Sequence, residues 1–156
     1  MTEPDRLTPG QPAPDFDLPD QDGNPVRLGD FAGRKLVVYF YPKDDTPGCT
    51  KEACQFNDNL HAFSSSTVAV VGISPDDAAS HRRFREAYGL QFPLLSDPAR
   101  ETMRRYGAWG DRKRFGVTHE GVIRSTFLVD ETGAIEQAWY DVNADGHAAE
   151  VLASVG

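Results

Sequence analysis

Apolar positions fall in short blocks along this chain, and their spacing changes from block to block. Leu36-Val37-Val38-Tyr39-Phe40 is a continuous apolar run rich in β-branched and aromatic side chains. Such a run predicts a strand covered on both faces. Thr67 to Ser74 predicts a second. From Cys49 to about Phe63 the pattern differs. Ala53, Phe56, Leu60 and Phe63 recur at three- and four-residue steps, the period of a helix with one buried face. Ser74-Pro75-Asp76-Asp77 reads as a helix start, with Ser74 as N-cap and Pro75 at the first helical position. That helix is predicted to run to about Tyr88 and to stop at Gly89. Phe92-Pro93-Leu94-Leu95 predicts a short strand, and Ser96-Asp97-Pro98 opens a helix that reaches about Tyr106 before Gly107.

Two hairpins complete the pattern. Phe16-Asp17-Leu18 and Val26-Arg27-Leu28 flank Asp20-Gln21-Asp22-Gly23-Asn24, whose Asp-Gly step is a turn signal. Ser125 to Val129 and Ala134 to Tyr140 flank Asp130-Glu131-Thr132-Gly133. Gly146 to Val155 reads as a terminal helix. The alternation of strands and helices predicts an α/β fold, a central mixed sheet flanked by helices, with an N-terminal β-hairpin extension.

Composition narrows the class. The 156 residues, 39% hydrophobic and 26% charged, are read as one domain spanning 1–156, with residues 1–14 as an extended lead-in. No run approaches the ~18 apolar residues of a membrane span. Met1 to Arg6 are polar and show no apolar signal region, so a cytoplasmic location is expected. Thiols are kept reduced there. A net charge of −8, from 16 basic against 24 acidic residues, argues against nucleic acid and anionic membranes as partners. One basic stretch runs from Arg100 to Arg114. It is read as a solvated helix and loop surface, with a docking face for an acidic partner or an anionic substrate as the alternative.

The candidate chemistry lies at the two cysteines, Cys49 and Cys54. Both follow the first buried strand, across the loop Pro42-Lys43-Asp44-Asp45-Thr46-Pro47-Gly48. Cys49 therefore falls at a helix N-terminus, where peptide dipoles and unpaired N–H groups favour a thiolate. The thiolate is the nucleophilic form of cysteine. Zinc needs about four ligands, and the four histidines, His61, His81, His119 and His147, are scattered without metal-like spacing. Residues five apart in a continuous helix have Cα atoms roughly 8–9 Å apart. A disulfide tolerates about 7 Å without backbone movement. A Cys49–Cys54 bond would thus require the helix to unwind, which suits a cycling bridge and not a permanent one. Two unrelated free thiols remain the alternative, above all for Cys54.

Pro42-x-x-x-Thr46-x-x-Cys49 resembles the active-site signature of the peroxiredoxins. The run Pro47-Gly48-Cys49-Thr50-Lys51-Glu52-Ala53-Cys54 is similar to the subgroup called bacterioferritin comigratory protein or peroxiredoxin Q. Phe92 to Pro98, Gly121 to Asp130 and Asp145 to Ala148 agree with it, so the resemblance runs from about Pro9 to the end. It implies a thioredoxin-like fold. It also implies a peroxidase acting on hydrogen peroxide and organic hydroperoxides without metal, flavin or haem. Cys49 would be the peroxidatic cysteine and Cys54 the resolving one, forming an intramolecular disulfide that thioredoxin reduces. Thr46 would hold the peroxide, Pro42 would shield the pocket, and Arg124 would stabilise the charged sulfur. The backbone N–H groups of Gly48 and Cys49 would add hydrogen bonds. The subgroup is often monomeric, with dimers also known. Glu52 is read as a first-turn acid favoured by the helix dipole, with a contact to Arg124 or another nearby base as the alternative. Tyr106, Trp109, Phe40, Phe56 and Phe127 are read as packing groups. Two other functions stay open on the sequence: a thiol–disulfide oxidoreductase or redox sensor on the same fold, and a non-enzymatic interaction protein using the basic stretch.

Overall fold

In the computed structural model, residues 6–114 and 116–155 are described, those at 112–114 and 117–119 by their backbone alone. The apolar run that predicted the first buried strand forms β3, Lys35–Phe40. It lies at the centre of a five-stranded mixed sheet. On one side it pairs in parallel with β4, Val68–Ser74, which pairs in parallel with β5, Leu94–Ser96. On the other it pairs antiparallel with β8, Ser125–Val129, and beyond that lies β9, Ile135–Trp139. Alternation along β3 divides the interior in two. Leu36, Val38 and Phe40 point to one apolar cluster, and Val37 and Tyr39 to the other.

The second cluster builds the candidate site, because helices cover it. These are α1, Pro47–Asp58, α2, Leu60–Ser65, α3, Ala78–Tyr88, and α5, His147–Val155. Phe56 of α1 is fully buried and stacks on Tyr39 with ring centroids 4.6 Å apart. On the opposite face, Met103 of the short α4, Glu101–Arg105, and Tyr106 pack with Phe40 and Phe127. The N-terminal hairpin, β1 Asp17–Pro19 and β2 Pro25–Arg27, forms a separate two-stranded unit, as the Asp-Gly step predicted. Of the predicted lead-in, residues 1–5 lie outside the described residues; Pro12 bridges to Ala134 beside β9.

Four boundaries differ from expectation, each for a local reason. The helix predicted from Cys49 to Phe63 is two helices. Asn59 breaks it by bonding its side-chain amide to the Gln55 carbonyl at 2.8 Å, in competition with the backbone. The helix predicted from Ser74 starts at Ala78. The parallel ladder retains Ser74, paired with Ser96, and Asp77 caps the helix by accepting from Ser80 N at 2.8 Å. The helix predicted after Pro98 begins at Glu101, because Arg100 sits at φ +62 and Asp97 accepts from Met103 N. The fourth is the hairpin of β6, Trp109–Arg114, and β7, Val117–Val122, where a helix and loop surface was expected. Among the described residues these strands pair with each other and not with the five-stranded sheet, and they carry no apolar alternation to betray them. Arg100 and Arg104 stack on the Trp109 ring, which occupies part of the basic stretch; the side chains of Arg112, Lys113 and Arg114 lie outside the described residues.

Candidate active site

The loop after β3 delivers Cys49 to the first turn of α1. Thr46 occupies the N-cap in extended geometry and Pro47 the first helical position, which suits its fixed φ and missing N–H. The Thr46 side chain does not cap the helix. Its hydroxyl donates to the Lys43 carbonyl at 2.9 Å. Cys49 lies in the first turn of this helix and is buried, with 1% exposure.

Arg124 arrives from far along the chain, in the link between β7 and β8. Its carbonyl accepts from Val142 N at 3.0 Å, which fixes the backbone there. The guanidinium divides its two ends. Nη2 donates to Cys49 Sγ at 3.3 Å and Nη1 donates to Glu52 Oε1 at 2.6 Å. Glu52 follows Cys49 by three residues, so both lie on one face of α1. Gly48 adjoins the pair, and a Cβ there would lie 3.4 Å from Arg124 Nη2, an ordinary contact. Glu52 is completely buried, and its Oε2 has no hydrogen-bond partner among the described residues. Burial pushes its carboxyl up to about 7, with Arg124 pulling the other way. The first-turn reading is corrected, because α1 starts at Pro47 and has no acid in its first turn; Glu52 is instead a buried partner of the arginine, the contact held as the alternative. Its spacing from Cys49 was the available signal.

The other predicted residues fall at varying distance from this centre. Cys54 sits further along the same unbroken helix, half-buried, and both thiols are free. Burial raises the Cys54 thiol above its ordinary value, and Asp58 adds to the rise. Pro42 is exposed at the head of the loop. From α5, His147 bonds the Thr126 hydroxyl through Nε2 at 2.8 Å and packs edge-on to Phe56. The neighbouring Asp145 accepts from Gln55, and Gly146 N donates to the same side chain, so α5 is tied to α1. Phe40, Phe56, Tyr106 and Phe127 are fully buried packing groups, as read from the sequence.

A thiol at a helix start, a bridging guanidinium and a thioredoxin-like sheet define a class, the thiol peroxidases. The AhpC/TSA family model matches residues 9–138, and the chain belongs to this family. Peroxiredoxin Bcp of Escherichia coli (strain K12) is 43% identical over 146 residues, covering 94% of each chain. Peroxiredoxin Bcp of Bacillus subtilis (strain 168) is 41% identical over 143 residues, 92% of this chain and 91% of its own. Among solved structures, Xanthomonas campestris peroxiredoxin Q superposes with a TM-score of 0.87 at 36% identity, over 99% of this chain and 97% of that one. The resemblance read from the cysteine loop thus holds for the Bcp and peroxiredoxin Q group, and the protein is a thiol-dependent peroxidase acting on peroxides with a thiol reductant.

Proposed function

We propose that the chain reduces hydrogen peroxide and small organic hydroperoxides at Cys49, resolves the product with Cys54, and is recycled by thioredoxin. The observation that carries this reading is the Arg124 guanidinium shared between Cys49 Sγ and buried Glu52. A fixed cation at the sulfur favours the thiolate and the charge that develops on the departing oxygen. The thiolate attacks the terminal peroxide oxygen, the O–O bond breaks, and the leaving oxygen takes a proton to depart as water or alcohol. Cys49 remains as a sulfenic acid. The hydrogen of the Thr46 hydroxyl is spent on Lys43. Its lone pairs are what it offers the hydroperoxide O–H. Gly48 and Cys49 supply backbone N–H groups at the helix start, and Pro42 screens the entrance. A resident metal or cofactor has no role in these steps.

Cys54 then attacks the sulfenic sulfur, releasing water and closing a disulfide. Five residues along an intact helix are too far apart for that bond. The step requires the start of α1 to unwind, which also frees the Cys54 thiol from the burial that holds its proton. An external dithiol reopens the bridge by exchange. The alkyl peroxide reduction activity of the Xanthomonas campestris bacterioferritin comigratory protein, 36% identical with a TM-score of 0.87, supports organic hydroperoxides as substrates. We place the enzyme in the cytoplasm as a monomer. The test is peroxide consumption with purified thioredoxin and thioredoxin reductase. Cys49→Ser should abolish it. Cys54→Ser should keep one turnover and lose recycling. A Cys49→Ser protein that turns over at the wild-type rate refutes the scheme.

A further inference from the structure

The loop that carries Thr46 is held by a buried polar cluster that the steps above do not use. Asp44 is 6% exposed and His81, on α3, is fully buried. His81 Nδ1 lies 2.6 Å from Asp44 Oδ2, and its Nε2 lies 3.0 Å from the Leu95 carbonyl of β5. Asp44 Oδ1 accepts from the Tyr41 hydroxyl at 2.5 Å, and Oδ2 also accepts from Ser80 Oγ at 2.8 Å. Both ring nitrogens thus face oxygen acceptors. A carbonyl only accepts, so Nε2 carries a proton. A neutral ring would then turn a bare Nδ1 toward a carboxylate oxygen at hydrogen-bond distance. Nδ1 also lies 3.4 Å from the Tyr41 hydroxyl, but that hydrogen goes to Asp44 Oδ1 at 2.5 Å, so the 2.6 Å contact of Nδ1 with Oδ2 calls for one proton shared between them.

Asp44 is also bound through its backbone. Its N–H donates to Asp76 Oδ2 at 2.8 Å, and that carboxylate is fixed in turn by Ser74 Oγ at 2.8 Å. The amide of Asp44 and the carbonyl of Lys43 belong to one peptide plane. The same carbonyl receives the Thr46 hydroxyl. The orientation of this single peptide therefore decides where the Thr46 lone pairs point. We propose that Asp44 and His81 are positioning residues, a one-proton clamp that fixes the Lys43–Asp44 peptide and through it aims Thr46 at the peroxide. This rests on the reading of Cys49 as the sulfur that peroxide oxidises.

Reduced protein is mixed rapidly with hydrogen peroxide, and in parallel with iodoacetamide, which alkylates Cys49 without needing Thr46. All forms carry Cys54→Ser, so that only Cys49 reacts. The clamp predicts that His81→Gln and Asp44→Ala lower the peroxide rate constant roughly ten- to hundredfold. Alkylation should change by less than about threefold. Asp44→Asn can donate its amide proton to a bare Nδ1 and should lose much less than Asp44→Ala. In a Thr46→Val background, the His81 and Asp44 replacements should have almost no further effect on the peroxide rate, since they act through the missing hydroxyl. Two results overturn the clamp: equal losses toward peroxide and iodoacetamide, or losses that add fully to that of Thr46→Val. If His81→Gln fails to fold, the Asp44→Ala and Asp44→Asn pair decides by the same criteria. An unmodified Cys49 in the peroxide-treated parent protein would instead strike at the underlying reading, and mass spectrometry of that control separates the two.

Discussion

Replacing Arg124 with methionine keeps an unbranched stem and removes the guanidinium with its charge. The usual consequence of deleting one partner of a buried ion pair is a loss of about 3–5 kcal/mol, because a charge is left stranded. Glu52 avoids that outcome by taking up a proton. Its ordinary value is 4.5 and burial lifts it to about 7 in the folded protein. A carboxyl raised on folding contributes stability that is fully present below about 4.5 and is lost as the pH climbs to about 7. At 1.36 kcal/mol per pH unit, the loss is about 3 kcal/mol in the wild type, and it ends near pH 7 because Arg124 then supports the charge. Without the guanidinium, burial alone governs Glu52, so the carboxyl stays protonated to higher pH. The variant should keep losing about 1.4 kcal/mol per pH unit above 7, where the wild type has levelled off. The assay is urea denaturation at several pH values from 7 to 8.5, in a Cys49→Ser background that removes the thiol from the titration. Burial lowers His147 below its ordinary value, so its ring is neutral across this window. The stability gap between the protein that retains Arg124 and the Arg124→Met variant should widen steadily with pH. A gap that stays constant would mean that Glu52 is charged throughout, and would refute the reasoning.

Two further outcomes follow from the helix start. Gly48→Ala places a methyl 3.4 Å from Arg124 Nη2. That is ordinary contact, so the change should raise thermal stability by up to about 1 kcal/mol through helix propensity and alter the peroxide rate by less than about threefold in rapid-mixing experiments; a tenfold slowing would refute the reading that the guanidinium keeps its place. Hydrogen exchange over residues 48 to 56 should lose protection when the reduced protein is oxidised to the disulfide, and equal protection in both forms would count against unwinding.

The parts of the fold that the sequence announces are those where side chains do one job. β3 and β4 are buried on both faces, so nearly every position along them is apolar and the strand signal is continuous. The Asp20–Asn24 and Asp130–Gly133 turns carry their own chemistry: Asp130 accepts from Thr132 N and Ala134 N, and Gly133 takes φ +90. The losses occur where a side chain answers to a distant partner. Asn59 reads as one more polar position on a helix, yet its amide takes the Gln55 carbonyl. Glu52 reads first as an acid favoured by the helix dipole, and its partner Arg124, 72 residues away, enters only as the alternative. The β6–β7 hairpin gives no periodic signal; among the described residues its strands stand apart from the five-stranded sheet. Cys49 is legible from its place at a helix start, whereas Thr46 and Pro42 stand out only through the family resemblance of their motif. Arg124 is legible only through family resemblance, since one arginine before an apolar strand carries no chemistry of its own. The Asp44–His81 cluster joins residues 37 apart on separate elements, and nothing local marks either one.

The account turns on Cys49 being the sulfur that receives the peroxide oxygen, with Arg124 making it reactive. The direct measurement treats reduced Cys54→Ser protein with one equivalent of hydrogen peroxide and locates the added oxygen by mass spectrometry while following its rate of appearance. The predicted result is one oxygen per chain on Cys49, gained about a hundredfold more slowly when Arg124 is also replaced by methionine. A Cys49 that stays unmodified, or that is oxidised at the same rate without the guanidinium, would contradict the account.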